Sequence, residues 1–354
     1  MKRDETIDIA KGIGIILVVI GHCAVSDSQQ LMRNFIYMFH IPLFFFLSGY
    51  FFKIDYTEKK VLFVKRKIKG LWWPYVKWSL LFLALHNVFL HLHIISPNVT
   101  HYYTFQEFIR RGASALWFSQ GEYLLGPFWF IGNLFFAALY VLIGTFLIKI
   151  SKLDKYFTSF LFLVGLFLLF SIISSIYDLS DWHLRPKYFL AAAIFVCGYL
   201  SHRYSFFKYN KITYVIFAIV ILFAATIIHY AALGELEFWY DAPYILIMGV
   251  IGSWMTILIS RWLVNTKAKS LLVYIGENTM WVLALHLLAF ELVNIIKISY
   301  YDLDILYLAA CPIPMHNNWL FFLLYILVGV GVPISLKYIY DKGKCKINNI
   351  NFTK

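Results

Sequence analysis

DIAKGIGIILVVIGH (residues 8–22) and MFHIPLFFFLSGYFF (38–52) stand either side of a short polar turn, and their reading decides the fold. Each belongs to an apolar stretch near the length of about 20 residues that crosses a bilayer. Yet the pair carries Lys11, His22, His40 and Ser48. An ionisable group at membrane depth costs about 2.5–3.5 kcal/mol on insertion scales, so it usually faces a protein interior or a watered cavity. These runs therefore read as membrane spans that line a functional channel.

Composition extends that reading to the whole chain. Hydrophobic residues make up 61% of the sequence and charged ones 14%, against roughly 45–50% and about 25% in soluble domains. Aromatics reach 20%, which suits a protein with two membrane interfaces where Trp and Tyr sit at headgroup level. The first run has no small-residue cleavage site before His22, so it reads as a span rather than a removed signal. Apolar runs predict ten spans, near 7–26, 34–52, 71–95, 126–149, 156–177, 187–201, 211–233, 242–261, 270–296 and 318–339. The sixth is short. Pro42 and the Ser48-Gly49 pair predict a kink or break in the second.

Charge supplies the orientation. With both termini cytoplasmic, 24 Lys and Arg fall on the cytoplasmic side and six on the other: Arg33, Arg110, Arg111, Arg185, Lys187 and Lys297. That is a strong positive-inside bias. It also accounts for the +12 net charge, so no nucleic-acid partner is needed to explain it. The fold class expected is thus an all-α integral membrane bundle, N-in and C-in, with a buried polar channel. A single domain over 1–345 and a cytoplasmic tail over 346–354 complete the plan. No internal repeat is visible. The longest outer loop is 96–125 and the main inner loop 53–70. Cys23, Cys197, Cys311 and Cys345 are scattered without framework spacing, so neither disulfides nor zinc are expected.

Lys11 and His22 are eleven residues apart, close to three helical turns and a rise of about 16 Å. Both side chains leave one face, Lys11 near the cytoplasmic end and His22 in the outer half. The plain alternative is a snorkelling Lys11 and a His22 that hydrogen-bonds within the bundle. His86, His91, His93 and His101 cluster beyond the third span, but their spacing builds no closed metal site and no acidic ligand sits among them. Tyr102, Tyr103, Trp117 and Trp129 suit either an interfacial belt or stacking on a sugar.

The two opening segments resemble the membrane acyltransferase-3 proteins, in particular their fucose-4-O-acetylase-like branch. Such proteins open with D-x-x-(R/K)-G-x-x-x-x-x-V-x-x-x-H and continue with a segment similar to F-H-x-P-x-F-F-x-x-S-G-Y. YIGENTMWVLALH (274–286) is similar to their late G-x-x-(S/T)-x-x-x-x-x-x-H element. VKRKIKGLWWPY (64–75) and GPFWFIGNLF (126–135) look like their basic-loop and W-F elements. The resemblance implies an O-acyltransferase that moves an acyl group, acetyl first of all, from cytoplasmic acyl-CoA to a hydroxyl of a cell-surface glycan or lipid-linked sugar. No bound cofactor is implied; acetyl-CoA is a substrate. The location implied is a bacterial cytoplasmic membrane.

Carried over residue by residue, His22 and His286 become the catalytic candidates, His22 as general base or acyl-histidine and His286 as a second base or orienter. Lys11, Arg66 and Lys67 become the candidates for CoA phosphates. Lys11 stands where Arg is commoner, keeping the charge but not the bidentate fork. His40, Ser48 and Asn278 become substrate contacts, with Glu277 as a partner for the late motif or a helix cap. Two rivals remain, a proton-coupled transporter and a polytopic glycan flippase or polymerase. The first would use the same intramembrane histidines as proton relays but usually shows repeat symmetry, and the second is not expected to carry the Lys11/His22 pair with the S-G-Y segment.

Overall fold

The computed structural model describes residues 4–119, 121–177, 184–206, 210–309, 313 and 318–351. The Asp4 carboxylate accepts the Thr6 N–H at 3.0 Å and so caps α1 (Glu5–Cys23), with Glu5 and Asp8 in its first turn. Both features stabilise a helix N-terminus by meeting free N–H groups and the positive dipole end. From there the chain is helical: α2 (Asp27–Tyr37), α3 (His40–Tyr50), α4 (Lys60–Lys67), α5 (Trp73–His91), α6 (Phe105–Leu116), α7 (Trp129–Ile150) and α8 (Phe157–Ile176) come first. Then follow α9 (Pro186–Arg203), α10 (Ile212–Ile228), α11 (Asp241–Leu263), α12 (Lys269–Glu277), α13 (Thr279–Tyr301) and α14 (Trp319–Asn351). Among the described residues the one β feature is an isolated bridge between Ala232 and Glu235. The molecule is an all-helical, polytopic membrane bundle.

Seven helical stretches are long and apolar enough to cross a membrane: Glu5–Cys23, Asp27–Tyr50, Tyr123–Ile150, Phe157–Ile176, Asp241–Leu263, Thr279–Tyr301 and Trp319–Lys344. Ile212–Ile228 is a shorter apolar helix. Helices also stand at the other two expected positions, Trp73–His91 and Pro186–Arg203, but these are not among the seven. Lys77, His86 and Asn87 dilute the first and Lys187, His202 and Arg203 the second. Helix α9 needs less apolarity because it runs through the middle of the bundle, with Leu190 to Val196 wholly enclosed.

Two close helix crossings explain glycines in the quoted motifs. A Cβ on Gly276 would stand 1.8 Å from the Asp8 carbonyl oxygen, and one on Gly12 2.4 Å from that of Leu272. Helices α1 and α12 therefore meet backbone to backbone, with Lys269 and Glu5 paired at 2.8 Å. Gly49 and Gly198 do the same for α3 and α9, where added carbons would lie 1.8 Å and 2.0 Å from the Phe195 and Phe46 carbonyl oxygens. Small residues at such crossings let membrane helices pack by close van der Waals contact.

Several local expectations change. The second span breaks at Met38-Phe39, between α2 and α3, and runs unbroken through Ser48-Gly49. Pro42 lies in the first turn of α3, where its missing N–H is tolerated. The inner loop 53–70 becomes helical from Lys60 and joins α5 through a π-helical turn, Ile68–Trp72. The outer loop 96–125 contains α6, which docks on α5 with Trp72 Nε1 donating to the Leu116 carbonyl at 2.9 Å. His86 and His101 do have acidic partners, Glu122 at 2.8 Å and Glu107 at 2.7 Å. Helix α10 ends at Ile228, so 229–240 is a loop rather than the end of a span. Cys23 and Cys197 form no disulfide among the described residues; Cys311 lies outside the described residues.

Candidate active site

His22 occupies the last turn of α1, and His286 the second turn of α13. Their rings stack with centroids 5.0 Å apart and planes 25° apart. His22 Nδ1 and His286 Nε2 are 3.0 Å apart, a hydrogen bond across 264 residues of sequence. The helix carbonyls decide which atom holds the proton. His286 Nδ1 lies 2.9 Å from the Val282 oxygen and 3.0 Å from that of Leu283. Carbonyl oxygens only accept, so His286 Nδ1 carries hydrogen, and in the neutral ring Nε2 is then an acceptor. His22 Nδ1 must donate to it. The lone pair of His22 is thereby placed on Nε2, which makes no hydrogen bond among the described residues.

A cavity of about 230 Å³ opens beside His22, lined also by His40, Tyr37, Trp129 and the loop residues Ala232 to Glu235. Gly21 lets the Tyr37 ring close on α1, since a Cβ there would come within 2.6 Å of it. His40 Nδ1 donates to the Ile36 carbonyl at 2.9 Å and caps the end of α2. Its Nε2 is likewise left as an acceptor. The two imidazoles on the cavity wall can thus take a proton or accept a hydrogen bond from a hydroxyl.

Ser48 lies eight residues beyond His40 on α3, a rise of about 12 Å. It lines a second cavity of about 260 Å³ with Phe51, Tyr56, Arg66 and Lys67 among its walls. Arg66 donates to the Tyr56 hydroxyl. Lys67 lies over the Phe63 and Phe195 rings at 5.3 Å and 5.5 Å, and burial holds its ammonium down to about 8. Lys11 stands beside this cavity, 3.3 Å from Asp8 Oδ1 and 5.3 Å from the centroid of the Phe51 ring. The structure therefore gathers Lys11, Ser48, Arg66 and Lys67 at one place, and His22, His40 and His286 at another. A larger cleft of about 650 Å³ lies between α7 and α8, but histidine, carboxylate and cationic side chains do not line it. Its apolar walls suit lipid tails better than chemistry.

The remaining candidates stand apart from both. Asn278, at the break between α12 and α13, donates to the Tyr274 carbonyl at 2.8 Å. Glu277 is exposed at the end of α12, nine residues before His286 and on the far side of the break at Asn278. The carbonyls of Val282 and Leu283 orient His286 instead. Residues that sequence reasoning passed over include Tyr37 and Glu235 on the histidine cavity. A buried network of Glu291, Asn294 and Tyr325 was also missed, with Asn294 bonding Glu291 at 3.0 Å and Tyr325 at 2.5 Å. The i, i+3 spacing of Glu291 and Asn294 is the signal that could have found two of its members.

A family model described as an acyltransferase domain matches residues 4–338. The chain belongs to that family, acyltransferase-3. It is also similar to the nodulation protein NolL of Sinorhizobium fredii (strain NBRC 101917 / NGR234), 47% identical over 57 residues. That match covers 14% of this chain and 16% of the relative, so the chain spans well under two thirds of it. No solved structure matches.

Proposed function

We propose that the protein transfers an acetyl group from cytoplasmic acetyl-CoA to a hydroxyl of a cell-surface glycan or lipid-linked sugar, and that it works in a bacterial cytoplasmic membrane. The observation that carries this reading is the His22–His286 pair, oriented by helix carbonyls and opening on a small cavity. At about 230 Å³, that cavity falls below the roughly 300–1,000 Å³ of drug-sized pockets, which favours acetyl over a long acyl chain. The basic cavity around Arg66 and Lys67 takes the CoA phosphates, with Lys11 beside it. The 12–16 Å of helix rise between the two cavities, about two to three turns, is left for the pantetheine arm.

In the reaction, the acceptor hydroxyl gives its proton to His22 Nε2 as its oxygen attacks the thioester carbonyl. The tetrahedral intermediate collapses with loss of the C–S bond, and the CoA thiolate takes the proton back from His22. His286 keeps His22 in the tautomer that can accept, and stabilises the imidazolium while it exists. His40 Nε2 accepts from the same or a neighbouring hydroxyl.

Proteoliposomes supplied with labelled acetyl-CoA and a sugar acceptor test this directly. Label should move covalently to the sugar; movement of unchanged substrate across the bilayer would identify a transporter instead. The donor site has its own pH signature. Lys67 binds phosphate only as the ammonium, and it loses that proton near pH 8. The KM for acetyl-CoA should therefore rise as pH climbs through 8, with kcat at saturating donor little changed. Lys67→Arg, which stays charged at every accessible pH, should flatten that rise.

A further inference from the structure

Loop 229–240 covers the outer end of the histidine cavity, and its anchoring is unusually complete for a connection. His229 Nε2 pairs with Asp241 Oδ1 at 2.7 Å, so the two feet of the loop are tied together. Asp241 Oδ2 accepts the N–H groups of Glu237 and Phe238, both at 2.8 Å. The Tyr244 hydroxyl bonds the carbonyls of Ala225 and His229 at 2.7 Å and 2.9 Å. At the tip, Lys187 donates to the Gly234 carbonyl while its ammonium lies 5.4 Å from the centroid of the Trp129 ring. Side chains from α9, α11 and the loop itself hold Ala232 to Glu235 against the cavity that His22 opens into. Rigid support of this kind is what a binding wall needs.

The wall has an unused acceptor. Tyr230 donates to Glu235 Oε2 at 3.3 Å, and the other carboxylate oxygen makes no hydrogen bond among the described residues. Trp129, one third exposed, supplies a flat apolar wall.

We infer that this outer end of the cavity is a subsite for one neutral, polyhydroxylated sugar ring, with Trp129 as its stacking wall and Glu235 accepting from its hydroxyls. A hydroxyl can donate, so ring hydroxyls can pair with the free Glu235 oxygen. A uronate fits less well, because its carboxylate meets the like charge of Glu235 on the cavity wall. The volume holds one ring, so recognition lies in the acetylated residue itself and not in the rest of the glycan. This inference rests on the acetyl-transfer reading and names the acceptor class for the same site.

The test uses the protein in nanodiscs with acetyl-CoA and neutral methyl hexopyranosides, followed by the uronate analogue of the best one. The neutral ring should be used with a KM at least tenfold below the uronate. Glu235→Gln should raise the neutral-acceptor KM tenfold or more, with kcat within threefold and the acetyl-CoA KM unmoved. It should also improve use of the uronate. Trp129→Leu should raise the acceptor KM similarly, and Trp129→Phe should recover part of the loss. His22-dependent transfer that is indifferent to Glu235 and Trp129, or that prefers the uronate in the wild type, overturns the subsite alone. Failure of the wild type to acetylate any glycoside, beside His22-dependent transfer to a non-sugar hydroxyl, overturns the acceptor reading and the subsite with it.

Discussion

Replacing His22 by alanine is expected to lower kcat for acetyl transfer 10²–10⁴-fold, the usual loss for a positioned general base. The KM for acetyl-CoA should stay within a factor of about two, because Arg66 and Lys67 line a separate cavity about 12 Å of helix rise away. Folding should survive. His22 is half-buried at the end of α1, and among the described residues its side chain hydrogen-bonds His286 alone. Size-exclusion profile and helical circular dichroism in detergent should match the wild type. Turnover above a tenth of the wild-type value in a properly folded variant would show that another group takes the proton. His40 would then be the next candidate, since its Nε2 faces the same cavity.

The bundle was legible in the sequence because its spans are long apolar runs, and every expected span has a helix on it. What was less legible depended on contacts between distant residues. Ser48-Gly49 looks like a helix break because glycine is a poor helix former. Here Gly49 serves the Phe195 carbonyl of another helix, and the break falls at Met38-Phe39 instead. Ala231, Ala232 and Leu233 read as the end of a span because they are apolar. All three are buried, Ala232 and Leu233 in the wall of a cavity rather than against lipid, and hydropathy alone does not separate the two. His86 looked unpartnered because its carboxylate, Glu122, is 36 residues away.

The candidate site divides along the same line. Lys11 and His22 share one helix, so periodicity could place both on one face and set their separation. Ser48 and His40 also share a helix, but their eight-residue spacing carries them to different cavities, and their expected common role does not follow from that geometry. His22 and His286 could be matched only by depth. Their direct hydrogen bond depends on how α1 and α13 rotate about their own axes, which no single-helix pattern records. Glu235 was out of reach for another reason. It sits in a loop that was read partly as membrane, and an exposed carboxylate in a loop carries no signal of its own.

The His22–His286 contact makes its own prediction through the choice of replacement at 286. His286 receives the His22 Nδ1 proton, so the useful property at 286 is an acceptor at that position. His286→Ala removes it. His22 can then take either tautomer and turn away, and kcat should fall about 10²-fold or more, the scale of a misplaced general base. Glutamine has similar reach and can present its side-chain oxygen to His22 Nδ1, so His286→Gln should retain clearly more activity than His286→Ala. His286→Arg offers donors only. It would make His22 Nδ1 the acceptor and put hydrogen on Nε2, where the lone pair is needed. That variant should be at least as impaired as alanine, although arginine is larger and fills the space. A structural role for His286 predicts a different order, with loss following thermal stability. Measuring kcat and melting temperature together across Ala, Gln and Arg separates the two. If activity tracks stability and glutamine brings no recovery, the carbonyl-to-His286-to-His22 chain is packing and His22 is oriented by something else.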